Sequence, residues 1–258
     1  MRRGTVAAMS ENGKSKVALE HSHDAAAIAS RLRGGPAASY LRDWVLGGID
    51  GAVTTFAVVA GVTGAGLSPA IILILGIANL VADGFSMAAG NYSGVKAERD
   101  DIERLIAMER KHIALAPEGE REEVRQLFAA KGFTGDDLEQ AVALMTADEE
   151  RWAQFMLQEE HGVASVSRSP LRAALVTFCA FAVCGLAPLA PFLLPATAAP
   201  MVVATALTAA TFFGIGSIKA KWSTASWLRS GFETLVIGMI AAGLAFAAGK
   251  MLKTLAGV

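Results

Sequence analysis

Residues 173–218 read AALVTFCAFAVCGLAPLAPFLLPATAAPMVVATALTAATFFGIGSI, 46 consecutive positions without one Asp, Glu, Lys or Arg. A helix needs about 20 mostly apolar residues to cross the hydrocarbon core of a bilayer, so this run is long enough for two crossings. Pro188, Pro191, Pro195 and Pro200 lie around its middle and mark the reversal between them. Cys179 and Cys184 both fall inside the run. Five positions apart on a helix, their Cα atoms exceed the ~7 Å that a disulfide tolerates, which makes them packing residues.

On the N-terminal side, Trp44 to Val62 is apolar except for Asp50, and Leu67 to Val95 is apolar except for Asp83. Gly64, Gly66 and Pro69 make a tight turn between them, so the two should form a helical hairpin. A last candidate runs from Trp227 to Gly249, with Arg229 and Glu233 near its entry. The expectation is an all-α integral membrane protein with five transmembrane helices. Trp44 and Trp227 fit interfacial anchors at span ends.

Composition agrees. Of 258 residues, 53% are hydrophobic and only 18% charged, with a mean hydropathy of +0.43, whereas an ordinary soluble domain carries about 25% charged residues. The charge is also unevenly spread: 17 of the 24 acidic and nine of the 23 basic residues lie between Lys96 and His161. This excludes a uniform soluble globule and a disordered chain, and describes an apolar body around one hydrophilic insert. The net charge of −1 gives no sign of a nucleic-acid partner, and none is expected. Arg2 and Arg3 have no apolar run behind them, so no secretory signal is expected.

Lysines and arginines set the expected orientation. Residues 1–42 hold seven, the insert nine, and the loop from Lys219 to Arg229 three, while the two intervening turns hold none. The alternation places the N-terminus and the insert in the cytoplasm, with only Lys250 and Lys253 running against it. The expected organisation is a flexible tail over 1–38, a transmembrane hairpin over 39–95, a cytoplasmic three-helix domain over 96–168 and three further spans over 169–258. In the insert, the second span continues through Lys96–Leu115, a short helix covers Glu118–Lys131, and a third runs from Gly135 or Asp136 to about Glu160. Within the tail, Ala25–Leu32 suits a short amphipathic helix.

Ionisable residues inside membrane spans are costly and usually face a pathway or a partner. Asp50 lies in the middle of the first span. Asn79, Asp83 and Met87, at i, i+4 and i+8, form one stripe on the second. Two oxygen-bearing side chains and a thioether suit a divalent transition metal better than calcium or magnesium. The competing account is a helix–helix hydrogen bond from Asp50 and Asn79, with Met87 merely packing. In the insert, Glu109 and His112 are three apart, Glu120 and Glu123 repeat the spacing, and Met156 and Glu160 are four apart. Three helices each presenting a donor pair could converge on metal, although such pairs also occur as solvated surface. His21 and His23, on the tail, are weaker metal candidates.

The stretches Gly47-Gly48-Ile49-Asp50-Gly51, Thr55-Phe56-Ala57 and Ala60-Gly61 resemble the first span of the vacuolar iron transporter family. Phe85-Ser86-Met87-Ala88-Ala89-Gly90-Asn91-Tyr92 and Lys96-Ala97-Glu98 resemble the end of its second span. The likeness continues through Trp152, Phe155, Met156 and the Glu160 region to Gly185-Leu186-Ala187-Pro188-Leu189, covering Tyr40 to the C-terminus. The resemblance implies a homodimer of five-span subunits whose cytoplasmic domain binds metal. It also implies export of Fe²⁺, and often Mn²⁺, from the cytosol in exchange for protons. Asp50 and Met87 would then line the path at the subunit interface, and Glu109, Glu120, Glu123, Met156 and Glu160 would be the domain's ligands.

Two positions depart from the plant members. Asn79 stands where they carry a Glu, with Asp83 one turn on as the inferred acidic substitute, and His112 stands where they carry another Glu. A neutral imidazole still suits iron, manganese or zinc. The expected protein is a metal transporter rather than an enzyme, in the inner (plasma) membrane of a bacterium, with the lipid bilayer, divalent ions and protons as its partners. The alternatives are a di-iron carboxylate ferroxidase, because Glu109-x-x-His112 is half of that signature, and a non-conducting metal sensor.

Overall fold

The structure, a computed structural model, describes residues 22–34, 38–163, 168–194 and 199–256. It divides into two units, 1–38 and 39–258. The first carries α1 (Ala25–Gly34), a helix where the tail was expected to hold one, with Arg31 and Arg33 in its last turn. His23 is exposed, and His21 lies outside the described residues.

The second unit contains α2 (Leu41–Gly64), α3 (Pro69–Leu115), α4 (Pro117–Ala130), α5 (Gly135–Met145), α6 (Glu149–Glu159), α7 (Pro170–Leu193), α8 (Pro200–Lys219) and α9 (Trp227–Ala256). Every regular element among the described residues is helical. Five of these helices are long and apolar enough to cross a membrane: α2, α3, α7, α8 with the short turn to Trp222, and α9. They coincide with the five apolar stretches of the sequence.

The apolar body is built on α2 and α7, the most extensively packed pair, with α3 also laid against α7. The reason is side-chain size. Gly47, Gly51 and Thr55 of α2, at four-residue spacing, are buried, as are Ala173, Thr177, Ala180 and Cys184 of α7. Small residues let two backbones approach closely where apolar burial alone gives no drive for helices to associate. A methyl group at Gly51 would collide with the backbone carbonyl of Phe181. Val59, Ile72, Leu80, Phe181, Leu189 and Ala204 fill the core beyond that contact. Pro188 and Pro191 sit inside the last turns of α7 and are buried, so the helix runs through two of the prolines expected to mark the turn, and the reversal comes after Leu193.

The 47-residue α3 is one unbroken helix from the apolar body into the polar insert. Its apolar half gives way to ion pairs at helical spacing, Lys96–Asp100, Arg99–Glu103 and Arg104–Asp101, which on an exposed face support the helix only modestly. The insert has its own core of Ile113, Val124, Val142, Trp152, Ala153 and Met156, with Phe128 stacked on Phe155 at 5.1 Å. Where one helix was expected from Gly135 to Glu160 there are two, split at 146–148. The Asp148 carboxylate accepts from the Arg151 backbone N–H at 2.8 Å and caps α6, which starts a new helix with its own N-terminus.

Candidate metal centre

Two groups of side chains on the insert meet at Glu109. In one, Glu109, His112 and Glu120 each offer a ligand atom within 4.8 Å of the others; in the other, Glu109, Glu160 and His161 do the same. Glu109 and His112 come from α3, three residues apart and therefore on one face. Glu120 lies in the first turn of α4, which folds back immediately after Pro117. Glu160 caps the C-terminus of α6, with its N–H donating to the Met156 carbonyl at 2.9 Å.

His161 follows, and Gly162 then adopts φ +65°, a left-handed backbone that closes the helix. The Val163 N–H returns to the Leu157 carbonyl at 3.1 Å. This ending brings the His161 ring to α3, with Nε2 2.8 Å from Glu109 Oε1 and 3.9 Å from Glu160 Oε2. His112 Nδ1 is 3.4 Å from Glu120 Oε1.

Burial makes the cluster unusual. Glu109 is 1% exposed and Glu120 5%, yet Glu109 Oε2 and Glu120 Oε2 have no hydrogen-bond partner. An unpaired buried carboxylate oxygen is costly, about 1–3 kcal/mol or more for a charged group. Burial, reinforced by the charges of Glu123 and Glu109, pushes Glu120 up to about 7. Burial and the charge of Glu109 raise Glu160 as well. A divalent cation would satisfy the orphaned oxygens and relieve the repulsion together.

Four of the six expected insert residues, Glu109, His112, Glu120 and Glu160, are therefore together. Glu123 is exposed one turn beyond Glu120 and adds its negative charge to the cluster. Met156 is fully buried in the apolar core of the insert, beside Trp152 and Val124. His161 was not singled out from the sequence. The only local signal is its place, next to Glu160 at the Gly162 helix stop.

The second constellation lies on α2 and α3. Asp50 is half-buried, just off the glycine stripe that meets α7, and Asp83 is exposed on the single chain but near enough for its charge to act on Asp50. The half-buried Asn79 donates from Nδ2 to Thr54 Oγ1 at 3.1 Å and Thr55 Oγ1 at 3.4 Å. Met87 is half-buried against the core that contains Leu80 and Phe181. Met87 and Glu109 ride on the same helix, roughly 33 Å apart at 1.5 Å per residue.

A third polar group was not anticipated. Asp43, 2% exposed, receives hydrogen bonds from Arg168 Nη1 at 3.2 Å and Asn91 Nδ2 at 3.0 Å. Asn91 Nδ2 also donates to Thr177 Oγ1 at 2.7 Å, and Arg168 Nη2 to Glu98 Oε2 at 3.0 Å. These side chains tie α2, α3 and α7 together where the insert joins the apolar body. Asp43, Asn91, Glu98 and Arg168 line a cavity of about 150 Å³ there.

Membrane-length helices carrying a polar insert with converging carboxylates and imidazoles define a multi-pass helical membrane protein with a candidate divalent-metal centre. The chain belongs to the VIT family, whose model matches residues 41–250. It is 32% identical over 219 residues to vacuolar iron transporter 1 of Arabidopsis thaliana, covering 84% of this chain and 88% of the relative. It is also 32% identical over 229 residues to the vacuolar iron transporter of Toxoplasma gondii (84% and 76%). Vacuolar iron transporter 1 of Tulipa gesneriana matches at 30% over 220 residues (84% and 89%).

Proposed function

We propose that this protein transports Fe²⁺, and Mn²⁺ as a second substrate, out of the cytoplasm in exchange for protons, as a homodimer in the plasma membrane. The names of its relatives support iron as the cargo. The observation that carries the proposal is the pair of buried, unpartnered carboxylate oxygens of Glu109 and Glu120 beside His112 and His161. Glu109 and His112 of that set stand on the same unbroken helix as Asp83 and Met87.

In this scheme the cytoplasmic insert collects the ion and replaces its water shell with carboxylate and imidazole donors. Asp50 and Asp83 then accept metal or protons in alternation, because neither acid readily stays charged and unpaired inside a membrane. Asp83 is exposed on the single chain, as are Ile74, Ile77, Val81 and Phe85 of the same helix. An acid amid outward-facing apolar side chains is far less costly when a second subunit covers it, which favours a path shared by two chains.

The test is flux in proteoliposomes, with Fe²⁺, Mn²⁺, Zn²⁺ and Ca²⁺ compared at two internal pH values. Fe²⁺ and Mn²⁺ should move against an imposed proton gradient, into the acidic compartment as protons leave it, and Asp50→Ala should stop them. Flux unaffected by the substitution removes Asp50 from the path, and no flux for any ion overturns the transport assignment.

A further inference from the structure

We propose that His161 is a metal ligand of the insert, a second imidazole that shares the carboxylate of Glu109 with His112. The assignment rests on the metal-binding role given to the insert above, and it adds a donor that no part of the sequence pattern supplied.

Geometry comes first. Ligand atoms about 2.1 Å from one ion stand roughly 3–4 Å from each other. His161 Nε2 lies 2.8 Å from Glu109 Oε1 and 3.9 Å from Glu160 Oε2, so small adjustments of three side chains admit a cation among them. The second observation is independent of that distance. A plain His161–Glu109 ion pair would use Glu109 Oε1 and leave Oε2, in a side chain 1% exposed, with no partner. The ring itself is only 19% exposed, so it is held at the cluster and not in open solvent. The turn at Gly162 and the return of the Val163 N–H to Leu157 fix the backbone that carries it.

The consequence is selectivity. Met156 lies in the apolar core, so the soft donor expected from the sequence is packed among Trp152 and Val124. Imidazole nitrogen then separates Fe²⁺, Co²⁺ and Zn²⁺ from Mg²⁺ and Ca²⁺, which prefer an all-oxygen shell. Two imidazoles around one shared carboxylate strengthen that discrimination beyond what His112 provides alone.

The chain has four histidines, His21, His23, His112 and His161, so one variant isolates the residue in question. Full-length protein carrying H21Q, H23Q and H112Q retains His161 as its only imidazole. Loaded with Cu²⁺ in detergent micelles, it should still show coordinated imidazole nitrogen in pulsed EPR, and adding H161Q should abolish that signal. In the otherwise native chain, H161Q should weaken Zn²⁺ binding by about tenfold or more, the scale seen when even an outer partner of a ligand is lost, and leave Mg²⁺ binding unchanged.

A His161-only chain without imidazole modulation, while E109Q still abolishes Cu²⁺ binding in the native background, overturns the assignment of His161 and leaves the metal role of the insert standing. Binding indifferent to both E109Q and H161Q overturns both. Should the triple variant not accumulate, the imidazole count of the native chain against H161Q decides: one fewer supports the assignment, and no change overturns it.

Discussion

Arg168 and Asp43, 125 positions apart, form an ion pair in which Arg168 Nη1 lies 3.2 and 3.3 Å from the two oxygens of the buried Asp43 carboxylate. Arg168 is the residue at which the chain returns from the insert to α7, and its other nitrogen holds Glu98 of α3. The pair anchors that return to both helices of the first hairpin, so the insert and the apolar body are joined by more than the rod of α3.

Removing Arg168 should therefore be expensive. Arg168→Ala leaves a buried carboxylate with Asn91 as its remaining side-chain donor, and breaking such a pair costs about 3–5 kcal/mol. Thermal unfolding of the full-length protein in detergent should show a large loss, and Asp43→Asn in the same chain should restore part of it. An unchanged melting temperature in Arg168→Ala would show that the pair carries no weight.

Glu120 sets a pH dependence. Its carboxyl is pushed from an ordinary 4.5 up to about 7, first by burial. The folded state thus keeps a proton that the unfolded chain has lost, and the associated stability falls as pH rises from about 4.5 to about 7. Metal needs the deprotonated form, so Zn²⁺ binding should strengthen through the same window and level off above it. Glu120→Gln should be the more stable protein without metal at pH 8, and its metal affinity should depend less on pH. Melting curves at pH 5, 6, 7 and 8, with and without Zn²⁺, check both signs.

Asn79 donates to two threonine hydroxyls of the neighbouring helix. Each net hydrogen bond is worth about 0.5–1.5 kcal/mol. Asn79→Ala should destabilise the hairpin by roughly 1–3 kcal/mol while leaving Mn²⁺ flux measurable, whereas Asp83→Ala should reduce flux with little effect on stability. Equal effects on flux from both substitutions would place Asn79 in the path beside Asp83.

Gly51 faces the Phe181 carbonyl with no room for a side chain. Gly51→Val should force α2 and α7 apart at a cost of about 1–3 kcal/mol and lower the melting temperature. A Cβ added at Gly61 would meet nothing within 4 Å, and Gly61→Ala should not. Equal stability of the two variants would contradict the close approach.

Amino-acid order alone specified the five membrane-length helices, because a bilayer imposes a length and an apolar composition that each segment must meet alone. It also determined the hydrophilic insert, and the shared faces of Asn79 with Asp83 and of Glu109 with His112, since those follow from helical periodicity. The split between α5 and α6 was signalled weakly, by Asp148 ahead of Glu149 and Glu150. His161, Arg168 and Asp43 were decided only in the folded chain. Nothing in the spacing of Glu109 and His161, 52 positions apart, brings them together; the packing of α6 on α3 and the left-handed turn at Gly162 do. Met156 shows the same division, since its place one turn before Glu160 is legible in the chain while its burial beside Trp152 depends on how three helices close around it. Local pattern specifies elements and their faces, and contacts between distant residues exist only once those faces have chosen their partners.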